Sequence, residues 1–220
     1  MSRYVVVDLE MCRVPKCYSS EYSNVNETIQ IGAVLLDDDF NITDEFETFV
    51  APVYGVLDRK ISKLTGIVDE DLQGAPLMDE ALNMFADWLP DEETVFVQWS
   101  NADKHQLQKE MAQKGLSNAR VEALLEQCED CQALFKERVE AGRVYSLKDA
   151  VNAAGIDAVG REHNALYDAY NTALLYKKLR TEPDLKLHPL YESARDEKVE
   201  HLGYSIGSLL SGFDFSALPA

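Results

Sequence analysis

No stretch of this sequence approaches the roughly 18 uninterrupted apolar residues that a membrane-spanning helix needs. Its first ten residues place Asp8 and Glu10 where a secretory leader would carry its apolar centre. A membrane role and export are both disfavoured, and a cytoplasmic location is expected. Cysteine is scarce: Cys12, Cys17, Cys128 and Cys131 are too few to staple a chain of 220 residues, so the thiols are expected to be reduced. Cys128 and Cys131 have a C-x-x-C spacing, but the turn glycines of a zinc knuckle do not flank them. Buried free thiols are the commoner fate of such residues. Repeats and low-complexity tracts are missing as well. Positive charge is the last shortage: 21 Lys and Arg face 39 Asp and Glu, for a formal charge of −18. That balance argues against a broad basic surface gripping long nucleic acid. No dense basic run flanks the motifs described below, so few direct phosphate contacts are expected.

What is present is enough to bury a full core, with 46% hydrophobic and 27% charged residues. One domain over residues 1–180 is expected, followed by an extension over 181–220 that packs on the domain or on a partner. Pro183 and Pro189 punctuate the extension, and a short charged helix over Tyr191–Glu200 fits its pattern. Tyr4–Leu9, Thr28–Leu36 and Phe46–Val50 read as strands, with the polar turn Asp37–Asn41 between the last two and a loop over Cys12–Glu27. Asp58–Leu64, stopped by Gly66, and Asp79–Leu89 read as helices, and Thr94–Gln98 as a further strand. Asp103–Lys114, parts of Val121–Glu140, Ser146–Ala154 and Ala165–Leu179 complete the helices. Strands first, then strand and helices in alternation, predict an α/β sandwich with a mixed sheet.

Two acids, Asp8 and Glu10, end an otherwise apolar strand. Side chains two apart on a strand share a face, so both carboxylates project together at the strand's C-terminal end, where open α/β sheets bind ligands. The plain alternative is a strand tip wetted by solvent. Asp103 follows a later strand in the first turn of a helix, where an acid can simply complement the helix dipole. His163 and Asp168 are five residues apart, about 140° around a helix if both were helical. If Asn164 instead caps the helix, His163 lies in the loop before it and is free to swing over the site that Asp168 faces. Ala165, Ala169 and Ala173 form a small-residue stripe that lets this helix approach the sheet and bring Asp168 near Asp8.

Taken together, Asp-x-Glu on a first strand, a mid-chain Asp and His-x-x-x-x-Asp entering a late helix resemble the DEDDh branch of the DnaQ-like 3′-to-5′ exonucleases. The resemblance covers roughly residues 3–179. It extends to Ile29–Val34, Leu64–Ile67 and Trp99–Asp103, which look like the subgroup of RNA-trimming exonucleases of the RNase T and enhanced-RNAi type. It implies an RNase H-like fold, a mixed five-stranded sheet flanked by helices. It also implies hydrolysis of single-stranded RNA or DNA from the 3′ end, releasing nucleoside 5′-monophosphates, with two magnesium or manganese ions per site. By the same resemblance, Asp8 bridges both ions, Glu10 and Asp168 hold the nucleophile-side ion, Asp103 serves the second ion and His163 is the general base. Met11, Leu64 and Trp99 are candidate walls of the terminal-nucleotide pocket. Where this family often has threonine after the glutamate, Met11 and Cys12 stand here. The partner implied is a single-stranded 3′ end, and a homodimer is compatible with the sequence. An oligoribonuclease-like activity on very short fragments and a non-catalytic nucleic-acid- or protein-binding module are the alternatives. A carboxylate-pair glycosidase would leave Asp103, His163 and Asp168 without a role.

Overall fold

The computed structural model describes residues 3–140, 143–189 and 191. The chain opens with β1 (Arg3–Arg13), β2 (Asn26–Leu36) and β3 (Ile42–Phe49), followed by α1 (Arg59–Thr65), α2 (Asp69–Leu72) and α3 (Met78–Trp88). Then come β4 (Thr94–Gln98), α4 (Ala102–Lys114), α5 (Ala119–Glu126), β5 (Cys128–Asp130), α6 (Cys131–Arg138), α7 (Leu147–Ala153) and α8 (Ala165–Thr181). The strands form one five-stranded sheet in the order β3-β2-β1-β4-β5. β1 runs antiparallel to β2 and parallel to β4, so the sheet is mixed as expected.

The period of two along β1 divides the core. Val5, Val7 and Leu9 pack with Leu82 and Phe85 of α3, Leu107 and Met111 of α4 and Leu125 of α5. Tyr4 and Val6 point the other way, toward Phe135 of α6, Val151 of α7 and Leu175 and Tyr176 of α8. Each such fully buried side chain stabilises the fold by about 1.5 to 3 kcal/mol relative to leaving it exposed. Asp8 and Glu10 continue this second face.

The helix α1 begins and ends where short local signals put it. Asp58 caps α1 by accepting from the N–H groups of Lys60 at 2.7 Å and Ile61 at 2.9 Å, and Gly66 ends it with a φ of 81°. Several elements depart from the sequence reading. β3 begins at Ile42, four residues before the expected Phe46, because it pairs with β2 back to Leu36. β1 does not stop at Leu9: β2 begins at Asn26 and pairs with it as far as Arg13, across a bulge between Glu10 and Met11, which shortens the expected Cys12–Glu27 loop. The Val121–Glu140 segment contains the edge strand β5 between α5 and α6, paired in parallel with β4. A short helix, α2, follows α1 after Gly66.

Beyond α8, Leu187 is buried beside the second core and the His188 N–H donates to the Ala153 carbonyl at 2.7 Å. The expected helix Tyr191–Glu200 lies outside the described residues apart from Tyr191. Among the described residues no helix is long and apolar enough to cross a membrane.

Candidate active site

β4 pairs with β1 only as far as Val6, so the next two residues of the same face, Asp8 and Glu10, lie past the end of β4. This is the C-terminal edge at which α/β sheets bind ligands. Opposite Asp8 in register is Gly32, and opposite Glu10 is Gln30. Both are residues whose role the sequence reading missed. A Cβ on Gly32 would lie 2.2 Å from the Ala165 carbonyl carbon and 2.2 Å from the Leu166 nitrogen. Glycine alone lets the start of α8 rest directly on the sheet; a glycine inside a strand is the signal that could have announced this close approach. Ala165 and Ala169 face the sheet with no exposed surface, as their spacing predicts.

Gln30 then holds that helix start. Its Oε1 accepts from the Ala165 N–H at 3.1 Å, one of the donors a helix leaves unpaired, while its Nε2 donates to Glu47 at 2.8 Å. Asn164 caps α8 by accepting from the Tyr167 N–H at 3.1 Å, so His163 does lie in the loop before the helix. The His163 backbone adopts a left-handed φ of 60°, and its N–H donates to Asp168 Oδ2 at 2.8 Å. Asp168 thus fixes the backbone of His163. The preceding loop is braced from two directions. Arg161 Nη2 donates to the carbonyls of Lys63 at 2.8 Å and Leu64 at 3.1 Å. Lys148 pairs with Glu162 at 2.7 Å.

Asp103 enters from α4. Gln98, buried at the end of β4, accepts from the Lys104 N–H at 2.9 Å and sets where that helix begins. Asp103 is itself buried and not a surface acid.

All four carboxylates have raised proton affinity, burial being the first cause in each. Burial, then the charges of Asp103, Asp168 and Glu10, holds Asp8 well above the usual carboxylate range. Burial, then Asp168 and Asp103, pushes Glu10 up to about 8. Burial pushes Asp103 up to about 7 even though backbone N–H groups, of Leu9 and its own, favour its anion. Asp168 is also raised by burial, against the opposing His163 N–H and imidazole. Among the described residues none of the four forms an ion pair with lysine or arginine. A concentration of buried anions without a counter-cation is the environment a metal ion stabilises.

Ligand atoms of Glu10, His163 and Asp168 all lie within 4.8 Å of one another, the one such group of potential metal ligands among the described residues. Carboxylates with an imidazole and no thiolate fit a hard divalent cation better than a structural zinc. The C-x-x-C cysteines lie elsewhere: Cys131 is fully buried beside Phe135, and Cys128 accepts from Gln98 Nε2 at 2.8 Å. Of the expected pocket walls, Leu64 is exposed at the end of α1 and Met11 is half-buried beside the bulge. Trp99 packs on Phe135 in the second core, with ring centroids 6.3 Å apart.

Against this geometry, the family model described as an exonuclease, RNase T, matches residues 5–176. The chain belongs to the exonuclease family. It is a DEDDh-type, DnaQ-like member, and its relatives carry the same theme. ERI1 exoribonuclease 2 of Danio rerio is 31% identical over 204 residues, covering 81% of this chain and 35% of that protein. DNA polymerase III subunit epsilon of Aquifex aeolicus is 31% identical over 182 residues, covering 81% of each chain. The exonuclease-family chain thus spans about a third of the first relative's length and most of the second's. Among solved structures, a 3′-exonuclease in 3′-end-specific recognition of a histone mRNA stem-loop superposes with a TM-score of 0.69 at 19% identity, over 84% of this chain and 66% of that one. That likeness supports the RNase H-like fold.

Proposed function

We propose that this chain is a magnesium- or manganese-dependent 3′-to-5′ exonuclease acting on single-stranded nucleic acid in the cytoplasm. The observation that carries the reading is the cluster of Glu10, Asp168 and His163, whose ligand atoms lie within 4.8 Å of one another, with Asp8 on the same strand face as Glu10 and Asp103 buried in the first turn of α4. When bound, two divalent ions would activate a water and stabilise charge on the attacking and leaving oxygens of a phosphodiester. Asp8, whose carboxylate feels Asp103, Asp168 and Glu10 together, is the residue suited to serve both ions. Glu10 and Asp168 would hold the ion nearer His163, and Asp103 the other. The exposed His163 imidazole would accept the proton of the attacking water, a task matched to a side chain whose reference pKa is about 6.5. Met11 and Leu64 are retained as candidate contacts for the terminal nucleotide. Trp99, the third candidate of that set, is buried against Phe135 in the second core.

Digestion of end-labelled single-stranded RNA and DNA, with manganese and with EDTA, tests the proposal. Stepwise shortening from the 3′ end that requires the metal is expected. Internal cutting, shortening from the 5′ end or full activity in EDTA would overturn it. A net charge of −18 favours substrates gripped at few phosphates, so an oligoribonuclease-like preference is the second reading. Comparing a dinucleotide with a twenty-nucleotide strand separates the two.

A further inference from the structure

The basic residues of this acidic chain look scattered in sequence, but the fold gathers five of them beside the site. β1 continues past Glu10 to Arg13, about 10 Å farther along the strand. There the Val56 N–H donates to the Arg13 carbonyl at 3.0 Å, tying the 51–57 loop to the strand end. Three residues beyond Val56, α1 begins with Arg59 and Lys60 and carries Lys63 in its last turn. Lys16 opens the short helical turn Lys16–Tyr18 that follows the strand end, and Tyr18 of that turn meets Tyr54 of the loop. Arg13, Lys16, Arg59, Lys60 and Lys63 are all exposed, and none forms an ion pair among the described residues. The acids within the same segments are Glu21 and Asp58, and the Asp58 carboxylate is occupied in capping α1.

Aromatic and apolar surface is interleaved with this charge. Tyr54 stacks on buried Tyr22 with centroids 5.0 Å apart and meets Tyr18 edge-on at 5.8 Å. Tyr18, Val53, Val56 and Leu64 are exposed. The loop that carries Tyr54 is held rigidly from below. The fully buried Glu27 carboxylate accepts the N–H groups of Val53 at 2.8 Å, Tyr54 at 2.7 Å and Gly55 at 2.5 Å. Lys114 Nζ bridges Glu27 at 2.7 Å and Glu110 at 2.8 Å, and Glu110 in turn accepts from Thr28 Oγ1 at 2.7 Å. The far end of the surface is joined to the catalytic loop, because Arg161, two residues before His163, binds the carbonyls that end α1.

We infer that this surface, from Lys16 and Arg13 across the Tyr54 loop to α1, is the track along which the single strand upstream of the 3′ end lies. The inference rests on the proposed exonuclease activity and adds to it the route of the substrate. Unpaired cations spaced along a rigid loop and helix suit successive phosphates, and exposed tyrosine and aliphatic side chains suit base faces without selecting a sequence. Charge complementarity favours a polyanion here over any other occupant, because the rest of the surface is dominated by acids.

The test compares wild-type protein with the triple variant Arg13→Glu/Lys16→Glu/Lys60→Glu and a control, Lys136→Glu, on α6. The ratio of kcat/KM for a twenty-nucleotide strand to that for a dinucleotide, with manganese, should fall at least about tenfold in the triple variant and stay unchanged in the control. In parallel, fluorescence anisotropy with labelled U20 and dT20, calcium replacing manganese, should show binding weakened by a similar factor. Its salt dependence, log Kd against log salt, should become shallower by about 2, the loss expected for three phosphate contacts on a single strand. If both ratio and salt slope match wild type in a triple variant of unchanged Tm, the track is overturned while the exonuclease reading stands. If wild-type protein cleaves neither substrate, that reading fails, and the anisotropy arm still decides whether the surface binds a strand.

Discussion

The catalytic candidates and the Glu27–Glu110 pair both bury carboxylates beside β1 and β2, and the chain treats the two groups in opposite ways. Glu27 is pushed up by burial, yet Lys114 and the N–H groups of Val53 and Gly55 bring it below its ordinary value. Glu110 is likewise surrounded by donors: Lys114, Thr28 and Gln106. Asp8, Glu10, Asp103 and Asp168 form no ion pair with lysine or arginine among the described residues, and all four are raised. Burial of an acid therefore says little by itself. The supply of counter-charge separates a structural network, complete within the chain, from a site whose charge balance needs ions from solution.

The comparison is broken most severely by removing the lysine. Lys114→Ala leaves the fully buried Glu27 and Glu110 uncompensated and should destabilise the protein by about 3 to 5 kcal/mol in chemical denaturation. A loss under about 1 kcal/mol would show that the two acids are held by their hydrogen bonds alone. Asp8→Asn should do the reverse. Activity should drop by about a hundredfold or more, roughly 2.7 kcal/mol of transition-state stabilisation, while stability in EDTA does not fall because one of four repelling charges is gone. An Asp8→Asn protein that still digests strands at the wild-type rate would remove Asp8 from the chemistry.

His163→Ala sharpens the contrast within the site itself. The turnover rate should fall by about a hundredfold, with the manganese-induced rise in Tm unchanged, if the imidazole moves a proton and does not hold the ion. Loss of that Tm rise would make His163 a ligand, which its spacing from Glu10 and Asp168 also permits. The dependence of stability on pH is the most direct reading of the two regions. Asp8, Glu10, Asp103 and Asp168 bind protons more tightly when folded, so without metal the stability they contribute is present at low pH and lost as pH rises through about 7 for Asp103 and about 8 for Glu10. Glu27, lowered on folding, contributes stability above its ordinary pKa that is lost on acidification. In EDTA, Tm should therefore decline from about pH 5 to about pH 9, and millimolar manganese should cancel the decline. A flat profile in EDTA would mean that these carboxylates are already compensated.

Much of this was legible in the chain. The shared face of Asp8 and Glu10 follows from a strand period of two, and the place of His163 follows from Asn164 as a cap. β5 was not legible, because Cys128–Asp130 is too short to show alternation and its polar residues resemble a helix connection. The reach of β1 past Leu9 was hidden because Cys12 and Arg13 precede Pro15 and read as loop; what extends the strand is pairing with β2, which lies outside local sequence. Glu110 and Lys114, four apart on a helix, carry the pattern of a surface ion pair, and nothing nearby reveals that Glu27 joins them from another element. The basic track was invisible for the same reason, since its members come from three segments.

The seat of α8 on Gly32 has a consequence for the order of events during synthesis. The first strands, with Asp8 and Glu10, leave the ribosome early, and Asp103 follows, but His163, Asp168 and the helix that docks them emerge last of the site's parts. The contact that closes the site joins residues more than 130 positions apart, Gly32 and Ala165. A nascent chain that has not yet released α8 holds Asp8, Glu10 and Asp103 without Asp168, so the acidic cluster is completed only when α8 emerges and docks on Gly32.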